Sequence, residues 1–363
     1  MKIIYLKPRS GYVTELRSDT LWGALCWGIR YLWGNEELEL FIEKYKKGNP
    51  DFVISSVFPF KQYGKDKIPF FPNPLILASN TSVDTEASIV EDYRLRKKLK
   101  NIAWLNLTDF GEMLHGRLTA NDLLMRLRKE YRRKKEADDN SNEYVPLPET
   151  IDRSAPERLD YSMTHNTIDR LQGGTLQLPT EDGDTAGQLF HAEESYWYDA
   201  HNDSDAERPN TGIYFLVEGN IEKLVPVLRL FRDLGIGADR TSGKGSFDFE
   251  VEDFMLPEPA SKDSNALMNL SLWLPTQSEL SDLKGIQYQL ERREGRVGGY
   301  RQRRIKQPRL YFAEGSVFER PSGYKDDHRM GCIQEQYFDA KHRPNHPVWD
   351  NGFGLMVNLN WKK

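Results

Sequence analysis

The chain has 363 residues, enough for two domains of ordinary size, and its 38% apolar and 12% aromatic residues are sufficient to build real cores. Its two cysteines, Cys26 and Cys332, lie far apart, which excludes a disulfide framework or a paired-cysteine zinc site. No apolar run reaches membrane-span length and MKIIYLKPRS lacks a signal-peptide core, so the expectation is a soluble, cytoplasmic chain with no membrane partner. The formal net charge of −5 argues against a protein that coats nucleic acid over its whole surface, yet the charge is segregated. Between Glu291 and Arg309 there are eight cations and two acids, whereas 137–143 and 202–207 are acidic. A basic track on an acidic body suits a chain that holds nucleic acid in one groove.

In chain order, KIIYLKP predicts a strand and SDTLWGALCWGIRYLWG a helix, with Leu21, Leu25, Ile29, Leu32 and Trp33 at helical spacing and Ser18 or Asp19 as its cap. NEELELFIEKYKKG predicts a second helix capped by Asn35, with its acids first and its lysines last before Gly48. Residues 55–74 read as strand and Pro-rich loop. Residues 121–135 form a cationic helix with Leu123, Leu124, Leu127 and Tyr131 on one side. Most of its lysines and arginines fit a solvated face, with a protein interface as the second choice. An acidic excursion follows, then short strand-like pieces over 153–198, a polar loop, the strand TGIYFLVEG, and a helix led by Asn220 and ended by Gly235. SFDFEVEDF is the next strand.

The N-terminal part thus has a βαββαβ plan with insertions. Beyond the linker around Pro257 and Pro259, the order is a strand (266–274), a short helix (277–283), strands near 288–293 and 310–319, and a last strand near 354–359. That order resembles a second, degenerate copy. The domain boundaries expected are 1–256 and 265–363.

LGIGADRTSGKGSF, residues 234–247, is the densest chemical signal. It is not a P-loop, because five residues separate Gly237 from Gly243 and Gly245 follows Lys244. It is not the dinucleotide fingerprint either, because Arg240 stands where a third glycine belongs. It also follows a helix and opens a strand, the reverse of both. Glycine-freed amides with Arg240 and Lys244 nearby can bind phosphate oxygens; the plainer alternative is a glycine cap and a tight turn with solvated cations.

HNTIDRLQGGT offers a ring, an amide, a hydroxyl and a guanidinium (His165, Asn166, Thr167, Arg170) within six residues, with Arg153 and Arg158 upstream. Single-stranded RNA is recognised by such groups. The plainer alternative is an exposed polar hairpin. RREGRVGGYRQRRIKQPR sets Tyr300 among Arg301, Arg303 and Arg304 as a stacking platform would be, or else it is a solvated loop or a patch for an acidic protein. HRPNH spaces His342 and His346 as helical metal ligands, but Pro344 opposes a helix and no metal is expected. No nucleophile signature is present. His165 as general base in metal-free RNA cleavage is the enzymatic alternative.

LRSDTLWGALCWGIRYLWG, SSVFPF, HNTIDRLQGGT with LFHAEESYW, LGIGADRTSGKGSF and GSVF occur in an order that resembles the fourth Csm subunit of type III-A CRISPR effector complexes, a Cas-five-group RAMP protein. The resemblance covers nearly the whole chain. It implies an α+β fold of two RRM-like (ferredoxin-like, βαββαβ) domains with a thumb-like hairpin, and a non-catalytic subunit with no cofactor. Such a subunit holds the 5′ handle of the crRNA, lies beside the large polymerase-like Cas subunit and the backbone Csm subunit, and has target RNA nearby. By the motif match, Arg240, Ser242, Gly243, Lys244 and Gly245 would contact handle phosphates. His165, Asn166, Thr167 and Arg170 would lie near the handle's end on the hairpin, with Arg153 and Ser18 joining them. No fixed motif of the family covers Arg301, Arg303 and Arg304. Two readings compete with this one: a RAMP endoribonuclease that processes CRISPR repeat RNA, and a pure assembly module.

Overall fold

The computed structural model describes residues 1–76, 86–139, 155–169, 171–179, 185–199, 210–298, 305–325, 329–338 and 346–361. The chain opens with β1 (Lys2–Pro8), whose Ile3, Ile4, Tyr5 and Leu6 are all buried, as a strand covered on both faces requires. α1 (Ser18–Lys46) follows. The two helices expected from the sequence are joined end to end, with the break at Gly34 (φ 89°, ψ −175°) where the apolar stripe of Leu21, Leu25 and Ile29 gives way to that of Phe41 and Tyr45. Arg17 occupies the N-cap position without a side-chain bond of its own, while Asp19 Oδ1 accepts the Thr20 N–H at 2.6 Å and Ser56 Oγ the Ser18 N–H at 3.0 Å.

Then come β2 (Phe52–Ile54), β3 (Phe58–Tyr63), β4 (Asp66–Pro72), α2 (Glu86–Lys100), β5 (Trp104–Asn106), α3 (Leu107–Leu114) and α4 (Ala120–Asp139). A long hairpin is made of β6 (Glu157–Asn166) and β11 (Leu189–Tyr198). Its outer part carries the short strands β7 (Ile168–Asp169), β8 (Gly174–Thr175), β9 (Gln177–Pro179) and β10 (Thr185–Gly187). β12 (Asn210–Gly219), α5 (Leu224–Leu234) and β13 (Phe247–Asp253) complete this part. α5 buries Leu224, Val227, Leu228 and Phe231, the face its sequence marks, and Gly235 ends it with its N–H donated to Phe231 O at 2.8 Å. Asn220 makes a turn with Glu222 N–H just ahead of the helix rather than capping it.

The main sheet runs β13-β1-β12-β3-β4-β5, with β2 also on β12, and every pairing is antiparallel. The C-terminal part has β14 (Ala266–Asn269), α6 (Gln277–Asp282), β15 (Leu290–Arg293), β16 (Arg309–Phe312), β17 (Val317–Glu319), β18 (Ile333–Glu335), β19 (Trp349–Asn351) and β20 (Met356–Leu359). β14 lies between β17 and β20. Its period-two alternation serves two cores. Ala266, Met268 and Leu270 join the N-terminal core, while Leu267 packs with Trp273, Phe318 and Met330 on the other side.

Polar staples reinforce that junction. Ser18 Oγ accepts the Leu272 N–H at 2.9 Å, and Ser271 Oγ donates to Ile54 O at 2.8 Å and accepts the Leu355 N–H at 2.9 Å. Arg17 pairs with Glu314 and with Glu291. Ser18 is wholly buried in this network, so its hydroxyl is committed to the backbone of the C-terminal part and is not a ligand for RNA.

Candidate nucleic-acid interface

The Gly-rich loop is a tightly folded knot. Ile236 N–H donates to Gly245 O, Gly245 N–H to Gly11 O and Arg9 N–H to Ser246 O, each at 2.9 Å. Residues 240–242 form one 3-10 turn, behind which Gly243 N–H donates to Arg240 O and Lys244 N–H to Asp239 O. Gly245 is buried with φ 69°, and a Cβ there would lie 2.0 Å from Ile236 O, so this glycine closes the loop. The amides of 243, 244 and 245 are therefore consumed inside the loop. This corrects the expectation that they face phosphates. What the loop presents outward is Arg240, Thr241, Ser242 and Gly243, all exposed.

Lys244 is also committed. Its Nζ lies 2.5 Å from Glu194 Oε1, with side chains 20% and 1% exposed. Tyr196 donates its hydroxyl to the same carboxylate at 2.7 Å. Burial pushes Glu194 up, but the hydrogen bonds from Lys244 and Tyr196 outweigh it and hold the carboxyl below its ordinary value. Lys244 is raised in turn, chiefly by its hydrogen bond to Glu194. Next to this pair, Tyr12 and Ser195 exchange both backbone hydrogen bonds. Gly11 makes the approach feasible, since a Cβ there would sit 2.6 Å from the Tyr196 ring. Glu194, Tyr196 and Gly11 were not singled out from the sequence. The available signal was an acid at a buried strand position, which needs a cation.

The knot thus fastens to one face of the hairpin, and the pairing register shows what else lies on that face. Residues directly opposite across a ladder share a face. Tyr161 pairs with Glu194, Met163 with Ala192 and His165 with Phe190. His165 and Phe190 stack, with ring centroids 5.3 Å apart and planes at 19°. Tyr161 and Phe190 are exposed by 57% and 49%. The face to which the knot is fastened therefore carries Tyr161, directly opposite Glu194, and the His165–Phe190 stack nearer the hairpin's end. Asn166 donates its amide to Thr175 Oγ1 at 2.7 Å, and Thr167 N–H donates to Gln188 O at 2.9 Å, so both residues hold the outer strands in place. His191 bonds Thr164 on the opposite face, so the hairpin does not bring its two imidazoles together as an acid–base pair.

Among the described residues of the basic C-terminal run, four cations are paired. Arg293 engages Asp19 and Glu15, Arg292 engages Glu294, and Lys306 and Arg309 share Asp350. Arg153, Arg170, Tyr300, Arg301, Arg303, Arg304 and His342 lie outside the described residues. A cleft of about 420 Å³ opens beside Tyr12, Arg158 and Trp197. Its two guanidiniums are paired with its three carboxylates, as Arg17–Glu314, Arg17–Glu291 and Arg158–Glu15, so the cleft offers no surplus positive charge. Among the described residues, no cluster of three metal-ligating side chains occurs and no helix is long and apolar enough to cross a membrane.

Comparison with known proteins matches residues 7–248 to the RAMP superfamily and residues 262–359 to the CRISPR Csm4 C-terminal domain. The chain is 26% identical over 340 residues to the "CRISPR system Cms protein Csm4" of Thermococcus onnurineus, covering 92% of both chains. It is 31% identical over 155 residues to the Mycobacterium tuberculosis protein of the same name, covering 41% of this chain and 48% of that one. Among solved structures, it resembles a chain of a Csm3–Csm4 subcomplex of the type III-A interference complex (TM-score 0.57, 19% identity, covering 99% of this chain and 100% of that one). It also resembles a chain of a Csm1–Csm4 cassette bound to pppApA (TM-score 0.52, 19% identity, covering 100% and 98%). The chain belongs to the RAMP superfamily, and its residues 262–359 match the CRISPR Csm4 C-terminal domain.

Proposed function

We propose that this chain holds the 5′ handle of the crRNA on the hairpin face that runs from the glycine knot to the His165–Phe190 stack. One observation carries the reading: the register puts exposed Tyr161 and the stacked His165–Phe190 pair on the face to which the knot with Arg240 and Ser242 is fastened. Aromatic platforms beside a guanidinium suit single-stranded RNA, in which bases stack and phosphates are neutralised. In this reading Arg240 and Ser242 meet phosphates, and His165 and Tyr161 meet bases. Lys244, Gly243, Gly245, Asn166 and Thr167 shape the surface. Arg153, Arg170, Arg301, Arg303 and Arg304 remain candidates as further cations around it.

We further read the N-terminal part, 1–256, as an RRM-like domain. β1–α1–β3 and β12–α5–β13 interleave in the sheet order β13-β1-β12-β3, the split βαβ arrangement. Residues 265–363 would be its degenerate second copy. Relatives were solved in Csm1–Csm4 and Csm3–Csm4 assemblies. The chain accordingly bridges the large polymerase-like Cas subunit and the backbone Csm subunit, with target RNA nearby.

The test is cross-linking and end protection in the assembled complex. With wild type, the first handle nucleotides cross-link at Tyr161 or His165. Arg240→Ala lowers handle affinity and reduces the salt slope of binding by about 0.7, as loss of one phosphate contact on a single strand should. Handle cross-links confined to another subunit, with Arg240→Ala binding as wild type, would end this assignment.

A further inference from the structure

The main sheet has two unlike edges. β13 and the glycine knot sit at one; β5 ends the other, where the chain inserts α2, α3 and α4. Five strand spacings separate the edges, about 24 Å at the usual interstrand distance. α2 and α4 pack on each other. Leu95 and Leu99 of α2 and Leu123 and Leu124 of α4 are buried, so the apolar faces of this lobe turn inward. The outer faces expose Arg94, Lys97, Lys98 and Lys100 on α2 and Arg126 and Lys129 on α4. Arg126 pairs with Asp109 at 2.9 Å. Arg94, Lys97, Lys98, Lys100 and Lys129 have no acidic partner among the described residues.

Arg94, Lys97, Lys98, Lys100 and Lys129 thus stand exposed on two packed helices in a chain whose total charge is −5. Like charges at i,i+3 and i,i+4, such as Arg94 with Lys97 and Lys98, each weaken a helix by about 0.2–0.5 kcal/mol. Such a surface is tolerated where an anion offsets it. A lipid surface would need an apolar face to insert, and the leucines that would form it are buried. Tyr93, 70% exposed beside Arg94, adds a ring on which a base can stack.

We propose that the α2–α4 lobe is a second nucleic-acid site. It takes the phosphodiester backbone of a single strand, without sequence preference, and is independent of the glycine knot. The lobe follows from the sheet edge opposite the one that carries Arg240, so the two sites would meet different phosphates.

The test uses the full chain and a fluorescent 30-nucleotide unstructured RNA lacking any handle sequence, with DNA of the same sequence as the second arm. Neutralising Arg94→Gln, Lys97→Gln, Lys98→Gln and Lys129→Gln together should cut the slope of log K against log salt by about 3, and affinity at 0.1 M salt by about 10²–10³-fold. Lys97→Arg, Lys98→Arg and Lys129→Arg should keep wild-type binding with this probe. RNA and DNA should bind within about threefold of each other, since the phosphate is common to both. If the fourfold variant fails to fold, the pairs Arg94→Gln/Lys97→Gln and Lys98→Gln/Lys129→Gln should each lower the slope by about 1.4. Unchanged affinity and slope would overturn the proposal. So would a strong preference for one of the two sugars, or the loss of an acidic protein from the purified complex with nucleic-acid binding intact.

Discussion

Lys244 looks like an RNA ligand by sequence and like a structural tie by geometry, and Lys244→Ala separates the two. The substitution removes the ammonium that lies 2.5 Å from Glu194, a carboxylate whose side chain is 1% exposed. Deleting one partner of a fully buried pair costs about 3–5 kcal/mol, and of an exposed pair about 0–1 kcal/mol. The lysine is 20% exposed, and the Tyr196 hydroxyl still donates to the carboxylate after the change. The expected loss is therefore intermediate, about 2 kcal/mol, or roughly a 30-fold drop in the folding constant. Urea unfolding of the full chain reads it directly. A cycle of Lys244→Ala, Glu194→Ala and the double variant should return a coupling of about 1–2 kcal/mol. The pH dependence follows from the sign of the Glu194 shift. Its carboxyl is depressed below the ordinary 4.5, so the stabilisation is fully present above pH 4.5 and is lost as pH falls through the folded value. The gap between wild type and Lys244→Ala should close over that interval. A Lys244→Ala protein that unfolds like wild type yet binds handle RNA tenfold more weakly would refute the tie and restore Lys244 as a ligand.

Two further outcomes follow from the same geometry. Gly245→Ala should destabilise more than Gly243→Ala in urea unfolding. Both occupy the left-handed region, at a cost of about 1–2 kcal/mol for an L-residue, but only position 245 drives a Cβ into Ile236 O, whereas position 243 faces open space. Asp350→Asn should cost about 2–3 kcal/mol at pH 7, because charge-assisted bonds from Lys306 and Arg309 are lost. Burial pushes Asp350 up, but Lys306 and the bonds from Gln336 and Arg309 hold it below 3.8. The wild-type advantage is therefore full above pH 3.8 and falls away in stronger acid.

Much of the architecture was legible in the sequence because it is written in short-range pattern. Leu21, Leu25 and Ile29 mark the face of α1, Gly235 marks the end of α5, and the short helix and last strand of the C-terminal part fall within two residues of the observed bounds, whereas the expected strand 310–319 is two strands and β18 and β19 were not anticipated. What was illegible is long-range. Ser18 meets Leu272 across 254 positions, and Lys244 meets a glutamate on a strand that the Gly-rich motif gives no reason to pair with it. The motif reading also misjudged the glycines. Positions 243 and 245 looked like openings for phosphate, but their positive φ angles serve to wind the chain back onto Arg240 O and Gly11 O. Glycine density reports conformational demand, and whether the freed amides face a ligand or their own loop depends on contacts made elsewhere.

The same distinction governs the cations. By density alone, residues 292–309 are the obvious place for an anionic polymer. There Arg293, Lys306 and Arg309 are each a quarter exposed or less. Charge so placed has to be paired to be tolerated, and Asp19, Glu15 and Asp350 pair it. On α2 and α4 the helical period turns Leu95, Leu99, Leu123 and Leu124 inward and leaves Arg94, Lys97, Lys98 and Lys129 in solvent, away from any buried carboxylate. A run of positive residues in a chain of this kind therefore carries opposite meanings in the two settings. In the C-terminal run Arg293 ties the C-terminal part to the N-terminal part and Lys306 and Arg309 hold Asp350 within it, whereas on the outer helices the cations stand in solvent. For this fold, the cations available to nucleic acid are those whose local geometry spared them a carboxylate.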